Sequence, residues 1–353
     1  MMHDVRIGVL TRYGPTRHVG GVETFNDCLQ RALGPLEIFA DDPPESSPSL
    51  TELSRIGLEQ PVGAIRAAKE LLRRHREEPF DVIVSNGVYG WPLTLARPRV
   101  PLVQVYHFTM AGLARHALTL PGDRLTTGRV TALFDRIAGI GKHVIAVSHR
   151  VLGEVRSFYG LDGQFIPNAV DTNLFRPMNR TAAREALGLP QELAIGIFVG
   201  RPDPTKGYDI LLRVAQRMPE VMFLEVGGGG TTTKNLRALG RVPHTEMPKW
   251  YAAADFFFLP SRYEGFSLSL LEALSCNLPA VVSEAAWPFP EGPAECGVVA
   301  SGERDDEFVA GIRTVLRNRQ EYSPRRFILP RYDLTLFERS WTGLIGSLLN
   351  GAA

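Results

Sequence analysis

The sequence predicts an α/β protein built from two Rossmann-like, doubly wound parallel-sheet domains facing a central cleft. Three observations carry that expectation. The chain has 353 residues, enough for two domains at roughly 100–200 residues each. Short apolar, β-branched runs alternate with helical patterns from one end to the other, which is the sequence form of βαβ units. Two prolines and a turn-forming asparagine interrupt the pattern at Ile166-Pro167-Asn168-Ala169-Val170-Asp171, followed by Phe175-Arg176-Pro177, and such a break marks a linker. The expected domains are therefore residues 1–170 and 171–330, with a last segment at 331–353.

In the first half the runs Val5 to Leu10, Asp81 to Ser85, Pro101 to Val105 and His143 to Val147 read as strands. Each is short, largely apolar and bounded by polar or turn-forming residues, as strands covered on both faces are. Helices are expected at Val22 to Leu33, Val62 to Arg76 and Arg124 to Ala138. The second half repeats the alternation. Its strands are Leu193 to Val199, Val221 to Val226, Phe256 to Leu259, Ala280 to Ser283 and Gly297 to Val299. Its helices are Gly207 to Arg217, Met247 to Ala253, Ser267 to Ser275 and Asp305 to Arg317. A last helix runs from Leu334 to Leu349, behind Asp333 as N-cap. Residues 41–49 read as an exposed loop and the final Asn-Gly-Ala-Ala as a fraying end.

Composition narrows the function classes. With 44% hydrophobic and 22% charged residues the chain is ordinary globular material, which excludes disordered and fibrous architectures. Its 39 Lys and Arg against 38 Asp and Glu leave a net charge of +1, so nucleic acid is not the expected partner. Three scattered cysteines, Cys28, Cys276 and Cys296, make neither a disulfide framework nor a zinc site and point to a reducing compartment. No apolar run reaches the roughly 20 residues of a membrane span, and the start lacks a signal-peptide core. The expectation is a cytoplasmic protein. Charge is uneven along the chain: net −4 over residues 1–59, +7 over 60–160 with five histidines, and −2 over the remainder. The basic stretch is either a solvated helix face or a surface drawn to an anionic partner.

Four stretches carry candidate chemistry. Gly20-Gly21-Val22-Glu23 opens the first helix, where two glycines let a ligand approach the backbone and helix-start amides favour an anion. A plain tight turn explains it equally well. Val199-Gly200-Arg201 followed by Lys206-Gly207 sets two cations between a strand and a helix, which suits a diphosphate because Arg offers a planar fork and Lys a point charge. In Ser261-Arg262-Tyr263-Glu264-Gly265-Phe266-Ser267-Leu268-Ser269-Leu270-Leu271-Glu272-Ala273, Glu264 lies on the loop after a strand and Glu272 about two turns into the next helix. The amides of Gly265, Phe266, Ser267 and Leu268 can receive phosphate, and Glu272 can accept from two vicinal ribose hydroxyls. His107 stands just after a strand, where a lone histidine is a satisfied core residue unless a site surrounds it. Asn168, Asp171 and Asp255 read as structural, in turn or cap roles.

In their order and spacing, GGVE near the start, PNAVD at the junction, GRPDPTKG and EGFSLSLLE resemble family 4 of the retaining glycosyltransferases, nucleotide-sugar enzymes of GT-B fold, over nearly the whole chain. The resemblance implies that Arg201 and Lys206 hold the donor diphosphate, that Glu264 meets the donor sugar hydroxyls and that Glu272 meets the ribose. It implies that Gly20 and Gly21 border the donor phosphates and the acceptor, and that His107 helps position the reacting centre. The base would rest near Arg241 and Val242, and residues 331–353 would cross back onto the first domain. The chain also departs from the pattern. Glu284-Ala285-Ala286-Trp287 stands where a glycine pair is common, and a proline-rich stretch follows at 288–293, with Glu291 or Glu295 as the acidic residue usual there. The run Gly227 to Gly230, followed by three threonines, shortens the wall beside the base. Both departures bear on which base and sugar are used.

The implied reaction moves a sugar from a UDP- or GDP-sugar to a hydroxyl of a glycan, lipid-linked or small-molecule acceptor in cell-surface glycan or glycolipid synthesis, with retention. Retaining glycosidases use one of two carboxylates, about 5 Å apart, as nucleophile. No carboxylate presents itself for that role, so a same-face substitution is expected, with charge on the leaving diphosphate stabilised by Arg201, Lys206 and the helix start at Ser267. No Asp-x-Asp triplet occurs, so neither a metal nor another cofactor is expected. Residues 62–76, VGAIRAAKELLRRHR, set Val62, Ile65, Ala68, Leu71 and Leu72 on one side with arginines around them. That is either a surface helix on the sheet or a peripheral contact with the inner face of an anionic membrane. Two rival classes share the architecture. One is a sugar-nucleotide epimerase or a phosphorylase, which in its pyridoxal form would need a Schiff-base lysine from Lys69, Lys142, Lys206, Lys234 or Lys249. The other is a non-catalytic sugar-nucleotide binder.

Overall fold

The computed structural model describes residues 5–14, 20–42, 56–118 and 120–351. The chain divides into two compact units, residues 1–168 with 335–353, and residues 169–334. Each contains a six-stranded sheet in which every pairing is parallel.

In the first unit the strands are β1 (Ile7–Thr11), β2 (Leu36–Ala40), β3 (Val82–Asn86), β4 (Leu102–Tyr106), β5 (His143–Ala146) and β6 (Gln164–Phe165), in the order β2-β1-β3-β4-β5-β6. Around them lie α1 (Gly21–Leu33), α2 (Glu59–Glu77), α3 (Trp91–Ala96), α4 (Met110–His116), α5 (Pro121–Leu125), α6 (Ala132–Gly139) and α7 (His149–Glu154). A π-helical turn, Thr126–Thr131, joins α5 to α6. The second unit comprises β7 (Ala194–Val199), β8 (Val221–Val226), β9 (Leu236–Ala238), β10 (Phe256–Leu259), β11 (Ala280–Ser283) and β12 (Gly297–Ala300), in the order β12-β11-β10-β7-β8-β9. Its helices are α8 (Arg180–Leu187), α9 (Tyr208–Arg217), α10 (Met247–Ala253), α11 (Leu268–Ser275), α12 (Asp305–Arg317) and α13 (Pro324–Tyr332). The last helix, α14 (Leu334–Gly351), returns to the first unit, where Phe337 and Trp341 meet Phe25 of α1 edge-on at 5.7 and 5.8 Å.

Every strand the apolar runs predict is present. The unpredicted strands β2, β6 and β9 are all sheet edges. An edge strand has one neighbour and one open flank, so it needs no continuous apolar run, and β6 and β9 have only two and three residues. The expected fraying end is corrected in part: Asn350 and Gly351 continue α14, while Ala352 and Ala353 lie outside the described residues, as do 43–49 of the expected loop.

Asp255 requires a larger correction, since it is a buried charge hub rather than a turn residue. Its Oδ2 accepts from the Arg184 guanidinium at 2.7 Å and from the Ile195 amide at 2.8 Å, and its Oδ1 lies 2.6 Å from Arg319 and 2.9 Å from Arg180. Arg184 is wholly buried and donates further to the carbonyls of Ala253, Pro190, Gln191 and Leu193 at 2.8–3.0 Å. One carboxylate thus ties α8, the start of β7 and the end of α10 together. Removing one partner of a buried ion pair typically costs about 3–5 kcal/mol. Denaturant unfolding of Asp255→Asn is expected to show a loss of that order, and an unchanged midpoint would mean that the network contributes nothing.

A second buried carboxylate, Asp135 of α6, accepts from the Met110 amide at 3.0 Å and from the Tyr159 hydroxyl at 2.6 Å, both through Oδ2. Burial pushes its pKa up to about 7. A carboxyl raised in the folded state is protonated there more readily than in the unfolded chain. Its contribution is therefore fully favourable below the unfolded value near 4 and is lost as pH rises through about 7. The slope is at most about 1.4 kcal/mol per pH unit. Asp135→Asn keeps an acceptor in place of Oδ2, and its unfolding midpoint is expected to vary less between pH 4 and 7 than that of the wild type.

Candidate functional site

Open α/β sheets take ligands beyond the carboxyl ends of their strands, where the strand order reverses. In the second unit the reversal falls between β7 and β10, and the loops after these two strands carry Arg201 with Lys206 and Ser261 with Glu264. Lys206 Nζ donates to Glu264 Oε1 at 2.6 Å, and the Ser261 hydroxyl donates to the same oxygen at 2.8 Å. Glu264 is buried, whereas Arg201 is 65% exposed, with its Nε 3.3 Å from Asp203 Oδ2. The geometry pairs Lys206, not Arg201, with the acidic residue.

Two loop contacts hold this arrangement. Gly207 has φ +69°, and a Cβ there would stand 2.1 Å from the Pro260 carbonyl oxygen, so only glycine lets the two loops touch. Arg262 donates its amide to the Thr205 carbonyl at 2.8 Å and its guanidinium to the Pro204 carbonyl and both Asp209 oxygens at 2.6–2.8 Å. Its hydrogen bonds hold the Asp209 carboxyl at about 2. Arg262 escaped the sequence reading because an arginine among loop residues has no distinguishing pattern.

Behind this pair, α11 begins with Ser267 as its cap, whose hydroxyl accepts from the Leu270 amide at 3.3 Å. The Ser269 hydroxyl reaches the Val199 carbonyl at 3.3 Å, binding the helix start to the end of β7. Gly265 precedes the cap, Leu268 is half-buried, and the Phe266 ring packs on Phe289 and Tyr332 at 5.7 and 5.6 Å. Glu272 is buried on α11, with Oε1 2.7 Å from His244 Nε2 and Oε2 accepting from the Tyr251 hydroxyl at 2.8 Å. Burial, with Glu272 alongside, pushes the Tyr251 phenol well above its ordinary value, so it acts as a donor. His244 and Tyr251 come from the segment after β9 and from α10, too far along the chain for spacing to associate them with Glu272.

The end of β9 reaches the same edge. Gly227 donates to the Gly240 carbonyl at 3.0 Å, and a Cβ on Gly227 would stand 2.0 Å from the Gly200 oxygen. The Arg241 stem passes over Gly228, 3.4 Å from where a Cβ would be, and Val242 follows it half-buried. The glycine run thus lets three strand ends crowd together. The proline-rich stretch is aromatic packing, with Trp287, Phe289, Phe327 and Tyr332 in ring contact. Glu291 and Glu295 are both exposed, Glu291 lying 3.6 Å from Arg331.

In the first unit the order reverses between β1 and β3. β3 ends on Asn86, whose amide donates to Asn26 Oδ1 at 3.2 Å, leaving its own Oδ1 as an acceptor for His107 Nε2 at 2.8 Å. Phe25 meets the His107 ring edge-on at 4.6 Å, and burial lowers its pKa to about 3. The imidazole is therefore neutral near pH 7, with its proton on Nε2 and a lone pair on Nδ1. Gly20 donates its amide to Glu23 Oε2 at 2.7 Å, so the helix opened by Gly21 holds its own acid at the position offered to an anion.

Comparison with known proteins agrees with both halves. The family model for Glycosyltransferase Family 4 matches residues 19–174, and that for Glycosyl transferases group 1 matches residues 179–328. The D-inositol 3-phosphate glycosyltransferase 2 of Catenulispora acidiphila is 32% identical over 277 residues, covering 69% of this chain; the chain spans 64% of that relative's length. Among solved structures, sucrose-phosphate synthase from Thermosynechococcus elongatus superposes with a TM-score of 0.82 at 19% identity, covering 98% of this chain and 100% of its own. Anabaena HepE in complex with UDP and glucose superposes with a TM-score of 0.72 at 19% identity, covering 97% and 100%. With a matching family region over each of its two doubly wound units, the chain belongs to family 4 of the glycosyltransferases and has the GT-B fold.

Proposed function

We propose that the protein is a retaining glycosyltransferase that moves a sugar from a nucleoside-diphosphate sugar to the hydroxyl of a glycan, lipid-linked or small-molecule acceptor. The observation that carries this reading is the cluster beyond β7 and β10, in which Lys206 and Ser261 hold Glu264 ahead of the capped start of α11. In the proposed reaction the bond from the anomeric carbon to the diphosphate oxygen breaks as the acceptor oxygen bonds to that carbon on the same face. The acceptor's proton passes to the departing diphosphate. Arg201, Lys206 and the α11 amides counter the charge that gathers there, in a site already organised to do so. Glu264 accepts from the sugar hydroxyls. Glu272, oriented by Tyr251, accepts from the ribose, with His244 sharing or yielding one carboxylate oxygen. Arg241 and Val242 flank the base, and in the first unit neutral His107 offers its Nδ1 lone pair to a hydroxyl.

UDP-sugars are the first donors to try, since the Anabaena neighbour was solved with UDP and glucose. D-inositol 3-phosphate, for which the Catenulispora relative is named, joins glycan and lipid-linked acceptors in the first screen. A reducing, cytoplasmic setting fits the buried thiols of Cys276 and Cys296, with Cys296 pushed up to about 12 by burial. No helix among the described residues is long and apolar enough to cross a membrane.

Thermal unfolding with UDP, GDP, ADP and TDP is expected to single out one nucleoside diphosphate, raising stability by about 2.7 kcal/mol at about 100 times its dissociation constant. Glu272→Ala should abolish that rise and Tyr251→Phe reduce it. A rise with none of them would sink the reading.

Activity is expected to persist in EDTA, because the two cations carry the charge a metal would otherwise supply. Turnover that disappears in EDTA and returns with Mg²⁺ would refute this. Lys206→Ala should lower kcat by a factor on the order of 10²–10³, as removal of one transition-state donor does elsewhere.

A further inference from the structure

Two neighbouring residues of α1, Phe25 and Asn26, are buried beside His107 and Asn86. Phe25 meets the imidazole edge-on at 4.6 Å and is itself backed by Phe337 and Trp341 of α14, whose rings lie 5.9 Å apart. Asn26 reaches the histidine through one intermediary. Its Oδ1 accepts from the Asn86 amide at 3.2 Å, and Asn86 Oδ1 lies 2.8 Å from His107 Nε2. One turn of α1 therefore supplies both an apolar wall for the ring and the far end of its hydrogen-bonded chain.

An asparagine side chain has a donor end and an acceptor end of nearly the same shape. Beside an imidazole it is indifferent on its own: turned one way it accepts from Nε2–H, turned the other it donates to a bare Nε2. An acceptor on its far side removes that choice, because the Asn86 NH2 group then points there and the Asn86 oxygen faces the ring. Asn26 and Asn86 are only 3% and 5% exposed, so bulk water does not compete for the position. The hydrogen bond at one ring nitrogen decides which nitrogen carries the proton, and here it is Nε2. His107 is half-buried, and among the described residues no group bonds its Nδ1. That nitrogen is left open and bare of hydrogen.

We propose that Asn26 is a positioning residue for His107: acting through Asn86, it fixes the imidazole as the Nε2–H tautomer, so that Nδ1 can only accept a hydrogen bond. A bare imidazole nitrogen takes a proton-bearing group such as a sugar hydroxyl, and its lone pair repels a phosphate or carboxylate. With the chain reversed, Nδ1–H would donate and favour an anion instead. Holding a histidine in one tautomer from a residue it does not contact is how the third member of a catalytic triad acts, although here both intermediaries are neutral amides. The consequence for sugar transfer rests on the place given to His107 in the proposed reaction. The tautomer itself is a property of the free protein and is read without donor or acceptor.

Long-range 1H–15N correlation NMR of the full, ligand-free chain near neutral pH tests this, with His107→Gln identifying the His107 signals among the eight histidines. The wild type is expected to show a single tautomer, with Nε2 protonated and Nδ1 shifted far downfield as a bare ring nitrogen. Asn26→Leu removes the acceptor at similar volume, and both ring nitrogens should move toward averaged positions as the two tautomers exchange. Asn26→Ala should do the same, because a water in the vacated space both donates and accepts; a folding defect in one variant therefore does not decide the outcome. Asn26→Asp keeps an acceptor and should retain the wild-type pattern. A bare Nε2 or an imidazolium in the wild type overturns the proposal. So does a single Nε2–H tautomer that persists in both Asn26→Leu and Asn26→Ala. The nucleotide-dependent rise in thermal unfolding reports on the second unit, so failure of the transferase reading would show there and leave these signals unmoved.

Discussion

Asp255 is the charge on which the amino-terminal edge of the second sheet is assembled. A carboxylate this deeply buried is tolerable only when both oxygens are fully engaged, and three arginines and the Ile195 amide engage them. Arg184 then has four further donor contacts to place, and it places them on carbonyls at the ends of neighbouring elements. The starts of β7 and β10 are thereby sealed with polar groups that satisfy one another. The opposite ends of the same strands are left to glycine turns and a helix start, which is where an anion can be received.

That asymmetry explains the geometry of the candidate site. Gly207 against Pro260 and Gly227 against Gly200 bring three strand ends closer than any side chain would allow. Arg262 then fastens the β7 loop to the β10 loop, fixing Lys206 next to Glu264. The ion pair is a consequence of loop packing, not of the short stretch of sequence that contains either residue. The first unit follows a different principle, building with neutral contacts: Asn26, Asn86 and His107 form a hydrogen-bonded chain in which burial keeps the imidazole uncharged.

Charge on the first unit shows how far a count along the chain can mislead. The helix richest in arginine, α2, spends much of its charge on nearby acids, from Asp41, from its own Glu70 and Glu77 and from Glu78 just beyond its end. On α6, by contrast, Asp135 is turned into the core. Net charge is a property of composition, whereas an electrostatic surface depends on which side chains share a face.

Much of the architecture was legible in the residues. Strands buried on both faces are largely apolar, so β1, β3, β4, β5, β7, β8, β10 and β11 announced themselves, while the edge strands β2, β6 and β9 had no such requirement to meet. Glycine runs, the Arg-to-Lys spacing and the two glutamates around α11 marked the loops where chemistry collects, because backbone approach and helix starts impose local rules on sequence. Pairing obeys no local rule. That Glu264 faces Lys206 and not Arg201, that Glu272 meets His244 and Tyr251 and that Asp255 is a charge hub were settled by contacts between residues far apart in the chain. The sequence alone determined the two-sheet α/β architecture and the loops that carry the candidate chemistry. Only packing in three dimensions decided which charges would meet, because Coulombic and hydrogen-bond energies depend on distances through space that the chain order does not contain.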